Sequence, residues 1–237
     1  MINKKRPFRF KQFIVKHDKC AMKVGFDGAL LGVWAHQREP SNILDIGSGS
    51  GLISLILRQR FNDANIIAIE PNKNAFIQSE INFKNSPFEK EINLINTDLQ
   101  SFKNDKKFDL ILSNPPFFSG DTKSENQDRN EARQEKYLPL DKLLQSARDL
   151  LSPDGKFFLI YPTWEANRVN TEAKKINLFV KIQTTIYSKL QKASKRTIFE
   201  FQCEPCITLN TNFVSGNQDV GYTEQYAELM KEFYTIF

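Results

Sequence analysis

Between residues 42 and 161 of this 237-residue chain, short apolar runs alternate with stretches of helical spacing, and that rhythm leaves few folds open. Asn42–Ile46, Ile66–Ile69, Ile92–Ile95, Phe108–Leu112 and Lys156–Tyr161 read as strands. Leu52–Phe61, Asn74–Lys84 and Leu140–Leu151 read as the helices between them. The runs are apolar almost throughout rather than at every second residue, which marks strands covered on both faces. Their order therefore predicts an α/β fold with a mostly parallel sheet and helices on both sides. Asp27–Trp34 begins with an N-cap residue and continues with helix-spaced apolar residues, predicting one more helix ahead of the first strand. Beyond residue 179 the rhythm changes. Phe179–Ser188 and Thr197–Cys203 read as a hairpin at the sheet edge, joined by Lys189–Arg196. Tyr222–Tyr234 reads as a closing amphipathic helix. With no repeat and no linker, residues 1–237 are expected to form one domain: an N-terminal segment and helix (1–36), a core (41–161), a hairpin (179–203) and a final helix (222–237).

A hydrophobic content of 40% supplies one full core. The charge of +5 suits a polyanionic partner without demanding one. Three cysteines, an odd number, argue against a disulfide framework and for a reducing, cytoplasmic setting. Cys203 and Cys206 stand in C-x-x-C spacing, but there is no second pair and no histidine nearby, so no metal site is expected. The basic start of the chain lacks the apolar stretch of a signal peptide, and no segment approaches the length of a membrane span. No obligate protein partner is evident.

Asp45-Ile46-Gly47-Ser48-Gly49-Ser50-Gly51 follows the first core strand and opens the next helix. Glycines there let the backbone approach a ligand, and the unpaired N–H groups of a helix start favour an anionic one. Dinucleotide enzymes use G-x-G-x-x-G. Here the glycines alternate behind an aspartate, which disfavours a nicotinamide oxidoreductase. This form resembles the S-adenosylmethionine loop of class I methyltransferases, in which the acid faces the ligand's amino group. Glu70, at the end of the second core strand, stands about where a ribose-binding acid is expected. Asp98, after the third, is placed to accept from an adenine amine.

Asn114-Pro115-Pro116-Phe117 follows the fourth core strand, at the sheet edge where open α/β folds bind ligands. The nitrogen of a nucleobase or amide amine is a poor nucleophile because its lone pair is delocalised. Two acceptors on its hydrogens, the Asn114 side-chain oxygen and the Pro115 carbonyl, favour a pyramidal nitrogen with a freed lone pair. Consecutive prolines hold that backbone in place, and Phe117 offers a face for an extruded base. The proton leaves from an already cationic nitrogen, so no strong base is needed before attack.

N-P-P-[FY] after the fourth strand resembles amino-methyltransferases acting on adenine N6, guanine N2 or the glutamine amide of release factors. Three further segments are similar to the bacterial tRNA-Val (adenine-37-N6)-methyltransferase family: Phe10-Lys11-Gln12-Phe13 with His17–Gly28, the R-x-x-A-R stretch Arg129–Arg133, and Tyr222–Tyr226 with Phe233-Tyr234. The resemblance covers nearly the whole chain. It implies a Rossmann-like class I fold with a seven-stranded, mostly parallel sheet and a C-terminal antiparallel hairpin. It also implies S-adenosylmethionine as cofactor, N6-methylation of the adenine beside the anticodon of valine tRNA, and a segment Lys23–Asp27 folded over the cofactor, with Lys23 and Asp27 near its methionine end. Phe26 stands where the family has threonine, and Phe117 where tyrosine is common. The alternatives are a guanine-N2 ribosomal RNA methyltransferase, a glutamine methyltransferase on release factors, and a non-catalytic RNA-binding module that keeps the fold.

Three basic groups are placed to hold RNA phosphates: Lys189, Lys192, Lys195 and Arg196 in the hairpin connection, Arg129 and Arg133 after the catalytic motif, and the arm Lys4, Lys5, Arg6, Arg9 and Lys11. Each also reads as a solvated charge run, and the arm as a loose tail.

Overall fold

The computed structural model describes residues 6–20, 23–88, 91–116, 138–189, 191–217 and 221–237. Its centre is one sheet of eight strands: β3 (Asn42–Ile46), β4 (Asn65–Ile69), β5 (Ile92–Ile95), β6 (Phe108–Ser113), β7 (Leu151–Pro162), β8 (Phe179–Tyr187), β9 (Arg196–Gln202) and β10 (Leu209–Val214). Across the sheet they run in the order β10-β8-β9-β7-β6-β3-β4-β5. Only β9 is antiparallel to its neighbours. The chain thus winds outward from β3 to one edge, then returns through β6 and β7, so β3 and β6 leave the sheet side by side at the switch point where such folds bind ligands.

Adjacent residues on the central strands point to opposite faces. Leu110, Leu112, Phe158 and Ile160 join one core with α1 (Phe26–Trp34), α2 (Leu52–Arg60) and α6 (Glu224–Met230). Phe108, Ile111, Phe157 and Leu159 join the other with α4 (Leu140–Leu150) and α5 (Ala166–Lys175). The continuous apolar runs in the sequence are the record of this two-sided burial. α3 (Lys73–Lys84) lies between β4 and β5 in the chain and is capped by Asn72, which accepts from Asn74 N and Ala75 N.

Asp27 lies inside the first turn of α1, after Gly25 at the N-cap, rather than capping the helix. Three larger features also depart from expectation. The sheet has eight strands among the described residues, not seven: β10 adds a parallel partner outside β8, and Thr211 and Thr184 share a hydroxyl hydrogen bond of 2.7 Å across that pair. An edge strand needs little apolar surface, and of β10 only Phe213 is buried, so its sequence LNTNFV carries no strand signal. The closing helix spans Glu224–Met230 rather than 222–234, beginning at a Thr223 cap. It stops because the chain turns to bring Tyr234 into a bridge with Phe10. Finally, the described part of the basic arm is anchored rather than loose. β1 (Phe8–Arg9) pairs with β2 (Ile14–Val15), Lys11 N donates to Phe233 O at 2.8 Å, and the Phe10 ring lies 4.8 Å from Phe13 and 5.5 Å from Tyr234. Lys4 and Lys5 lie outside the described residues.

Candidate active site

The loop after β3 takes left-handed backbone at alternate residues, with φ of +74° at Gly47, +59° at Gly49 and +78° at Gly51. Only glycine adopts this without strain. The three differ in surroundings. A Cβ on Gly51 would lie 2.4 Å from Phe83, whereas one on Gly47 would meet nothing within 4 Å. Gly51 is therefore glycine for packing as well as backbone, while Gly47 faces open space in front of the loop.

The loop is held from behind. Gly47 N and Ser48 N donate to Ile69 O at 2.9 and 3.0 Å. Glu70 accepts from Gly49 N through Oε2 and from Asn72 N through Oε1, both at 2.8 Å. From α3, Ser79 Oγ donates to Gly49 O at 2.7 Å and Asn82 Nδ2 to Ser50 O at 2.8 Å. The same asparagine ties down the N-terminal segment: Lys16 N donates to its Oδ1 at 3.0 Å, and Lys19 N donates to Gln78 Oε1 at 3.2 Å. These α3 residues were missed in the sequence. Their signal is a helix whose buried stripe holds Gln78, Ser79 and Asn82, an arrangement that makes sense only when polar backbone lies against it.

Asp45 departs from its expected pose. It lies fully buried beneath the loop, where its Oδ2 accepts from Ser54 N at 3.1 Å and Ser54 Oγ at 2.6 Å. Its Oδ1, also buried, has no hydrogen-bond partner among the described residues. Burial raises its pKa to about 7, against the Ser54 bonds that lower it. Burial also raises that of Glu70. A buried acceptor left over is what a cationic or hydrogen-bond-donating group would complete.

The Asn114-Pro115-Pro116 stretch sits next to this loop. Ser113 Oγ at the end of β6 donates to Ile46 O at the end of β3, at 3.1 Å. Asn114 follows half-buried, Pro115 buried and Pro116 exposed. Gly28 on α1 lies against it: a Cβ there would be 3.4 Å from Asn114 Nδ2 and 3.5 Å from Leu52. Phe117, Arg129 and Arg133 lie outside the described residues.

Of the remaining residues, Asp98 closes its own turn. It accepts from Ser101 N at 2.8 Å and Ser101 Oγ at 3.1 Å, and these bonds hold its carboxyl below the usual range. Lys23 Nζ donates to His17 O at 2.9 Å, tying its side chain back to the segment ahead of α1. Asp27, in the first turn of α1, is paired with Arg196 at 2.7 Å. Arg196 is the first residue of β9, and its guanidinium is held at α1 rather than standing with the hairpin lysines. Lys189, Lys192 and Lys195 remain on the connection between β8 and β9, where Lys192 and Lys195 are exposed.

The methyltransferase small domain model matches residues 27–170, which span α1, the glycine loop and the Asn114 motif. A Bacteroides thetaiotaomicron protein, "tRNA1(Val) (adenine(37)-N6)-methyltransferase", is 42% identical over 96% of this chain and 96% of its own length. The chain belongs to the tRNA1(Val) (adenine(37)-N6)-methyltransferase family. Members of the same name from Haemophilus influenzae and Vibrio cholerae are 38% and 35% identical, each over at least 96% of both chains. The fold is shared more widely. The crystal structure of Atu636 from Agrobacterium tumefaciens, described as a predicted O-methyltransferase, superposes with a TM-score of 0.70 over 87% of this chain and 96% of its own, at 14% identity. The glycopeptide N-methyltransferase MtfA, solved with S-adenosyl-L-methionine, gives a TM-score of 0.53 over 70% of this chain and 82% of its own, also at 14% identity. Among the described residues no cluster of His, Cys, Asp or Glu is arranged to hold a metal ion, and no helix is long and apolar enough to cross a membrane.

Proposed function

We propose that this family member transfers a methyl group from S-adenosylmethionine to N6 of adenine 37, beside the anticodon, in valine tRNA. The observation that carries the reading is the bond from Ser113 to Ile46, which fastens the Asn114 strand end to the glycine-loop strand end. A cofactor lying on the loop and an amine held by Asn114 are thereby neighbours. The chain acts as one unit, and its three free thiols suit a reducing, cytoplasmic setting.

S-adenosylmethionine supplies an electrophilic methyl on a sulfonium sulfur. The residues present suit it. Gly47 leaves room for close approach, and the buried Asp45 Oδ1 is ready to accept from a donor. Glu70 has each oxygen engaged by one backbone N–H, which leaves lone pairs for the ribose hydroxyls. Ser48, Gly49 and Gly51 complete the loop wall, Asp98 lies at the adenine end, and Lys23 and Asp27 lie at the methionine end. Asn114 Oδ1 and Pro115 O accept the two N–H groups of the adenine amine. That orients the nitrogen and frees its lone pair as the methyl is received. Gly28 against Asn114, and the rigid Pro115-Pro116 backbone, fix this geometry before the base arrives. Phe117 stacks on the extruded base, and Arg129 and Arg133 hold phosphates. The N6 proton is lost after transfer, when the nitrogen is cationic.

Asn114→Ala tests the assignment. Methyl transfer to tRNA falls by at least about a hundredfold, while cofactor affinity measured by calorimetry stays within a few-fold of the parent. Loss of both together would remove Asn114 from its role toward the amine.

A further inference from the structure

Trp164 is 53% exposed, in the turn Thr163–Glu165 that directly follows β7. β7 pairs in parallel with β6, so this turn leaves the sheet on the same edge as Asn114. The chain's other tryptophan, Trp34, is partly buried with its ring 4.9 Å from Phe213, edge-on. Trp164 makes no ring contact among the described residues. The turn that carries it is firmly held. Thr163 N donates to Lys195 O at 3.3 Å, and Thr163 Oγ1 shares a hydrogen bond of 2.9 Å with Ser194 Oγ. Ser194 Oγ reaches on to Ile186 O at 2.8 Å. The turn that carries this exposed indole is thus hydrogen-bonded, through Thr163, to the connection on which Lys192 and Lys195 are exposed.

A lone exposed aromatic is unremarkable on a protein surface. An exposed aromatic on a turn bonded to a lysine-bearing connection, at the Asn114 edge of the sheet, offers the pairing that single-stranded nucleic acid uses: stacking for bases and cations for phosphates. We propose that Trp164 stacks on an unpaired base of the substrate RNA near the target adenine, with Lys192 and Lys195 on the adjoining phosphates. Extruding one loop base unstacks its neighbour, and Trp164 offers that neighbour a replacement face. The patch is distinct from the cofactor loop, so its contribution belongs to RNA affinity alone. This inference rests on the tRNA reading above.

The test uses the full chain and an RNA hairpin with the sequence of the valine tRNA anticodon arm. Binding of the hairpin to the parent should quench tryptophan fluorescence. Trp164→Phe should abolish the quench, since Trp34 then remains as a silent reporter, and should keep most of the affinity. Trp164→Ala should raise the RNA dissociation constant about five- to a hundredfold, with cofactor affinity and melting temperature unchanged. Parent-like RNA binding by Trp164→Ala would overturn the proposal while leaving the methyltransferase reading intact. So would a joint loss of RNA and cofactor affinity, which would mean that the indole holds the fold. A parent that neither binds nor methylates the RNA would overturn both.

Discussion

Asp45 and Glu70 carry two buried carboxyls that the structure places against the glycine loop and its helix. Both carboxyls are buried and both pKa values are raised, that of Asp45 to about 7. A carboxyl whose folded pKa lies above its unfolded value holds its proton longer in the native state. Stability from that source is present below the unfolded pKa, near 4, and is lost as pH rises towards 7. For Asp45 the loss amounts to a few kcal/mol, of order ~4 at most. The cofactor-free protein should therefore melt at a lower temperature at pH 8 than at pH 5. Asp45→Asn, which keeps an acceptor for Ser54, should flatten that slope in a thermal-shift series; an unchanged slope would place the titrating group elsewhere. The spacing of the loop pointed to Asp45 but not to its burial, because burial depends on Ser54, nine residues on, turning its hydroxyl inward. The Arg196–Asp27 pair was equally hidden: the two residues are 169 apart in sequence, and nothing local joins them.

At the scale of elements, the glycine loop separates two roles that its pattern merges. Gly51→Ala forces a Cβ to 2.4 Å from Phe83 on backbone of φ +78°, and should destabilise the protein by several kcal/mol, about 2–4. Gly47→Ala meets open space, so it strains only the backbone, by about 1–2 kcal/mol. It should leave a folded protein with weakened cofactor binding. Calorimetry on both variants separates the roles, and equal stabilities would contradict the packing assigned to Phe83. Four of the parallel core strands were legible in the sequence because burial on both faces leaves apolar runs, and the edge strand β5 because three of its four residues are still apolar. β10 was not, since an edge strand may be polar, and the early stop of α6 was not, since it answers to Phe10 at the far end of the chain.

At the scale of the whole molecule, the two chain ends close on each other. Phe8, Phe10 and Tyr234 lie within 5.6 Å of one another, ring centre to ring centre. That clasp holds the N-terminal segment in place, and the Asn82 and Gln78 bonds then lay residues 16–19 beside the loop. Basic residues are exposed near the Asn114 edge of the sheet at Lys192 and Lys195. Replacing both with alanine should reduce the salt dependence of tRNA binding by about one unit of slope per lysine. An unaltered slope would return them to ordinary solvated charge. Fold class and motif positions were readable because they reside in local pattern; which side chains meet across the site was not, because that depends on closure. The central claim is tested most directly by incubating the protein and S-adenosylmethionine with tRNA from a strain lacking this gene, then measuring nucleosides by mass spectrometry. Gain of N6-methyladenosine at position 37 of valine tRNA, lost with Asn114→Ala, is the predicted result. No methyl transfer to that tRNA, from a protein that still binds the cofactor, would contradict it.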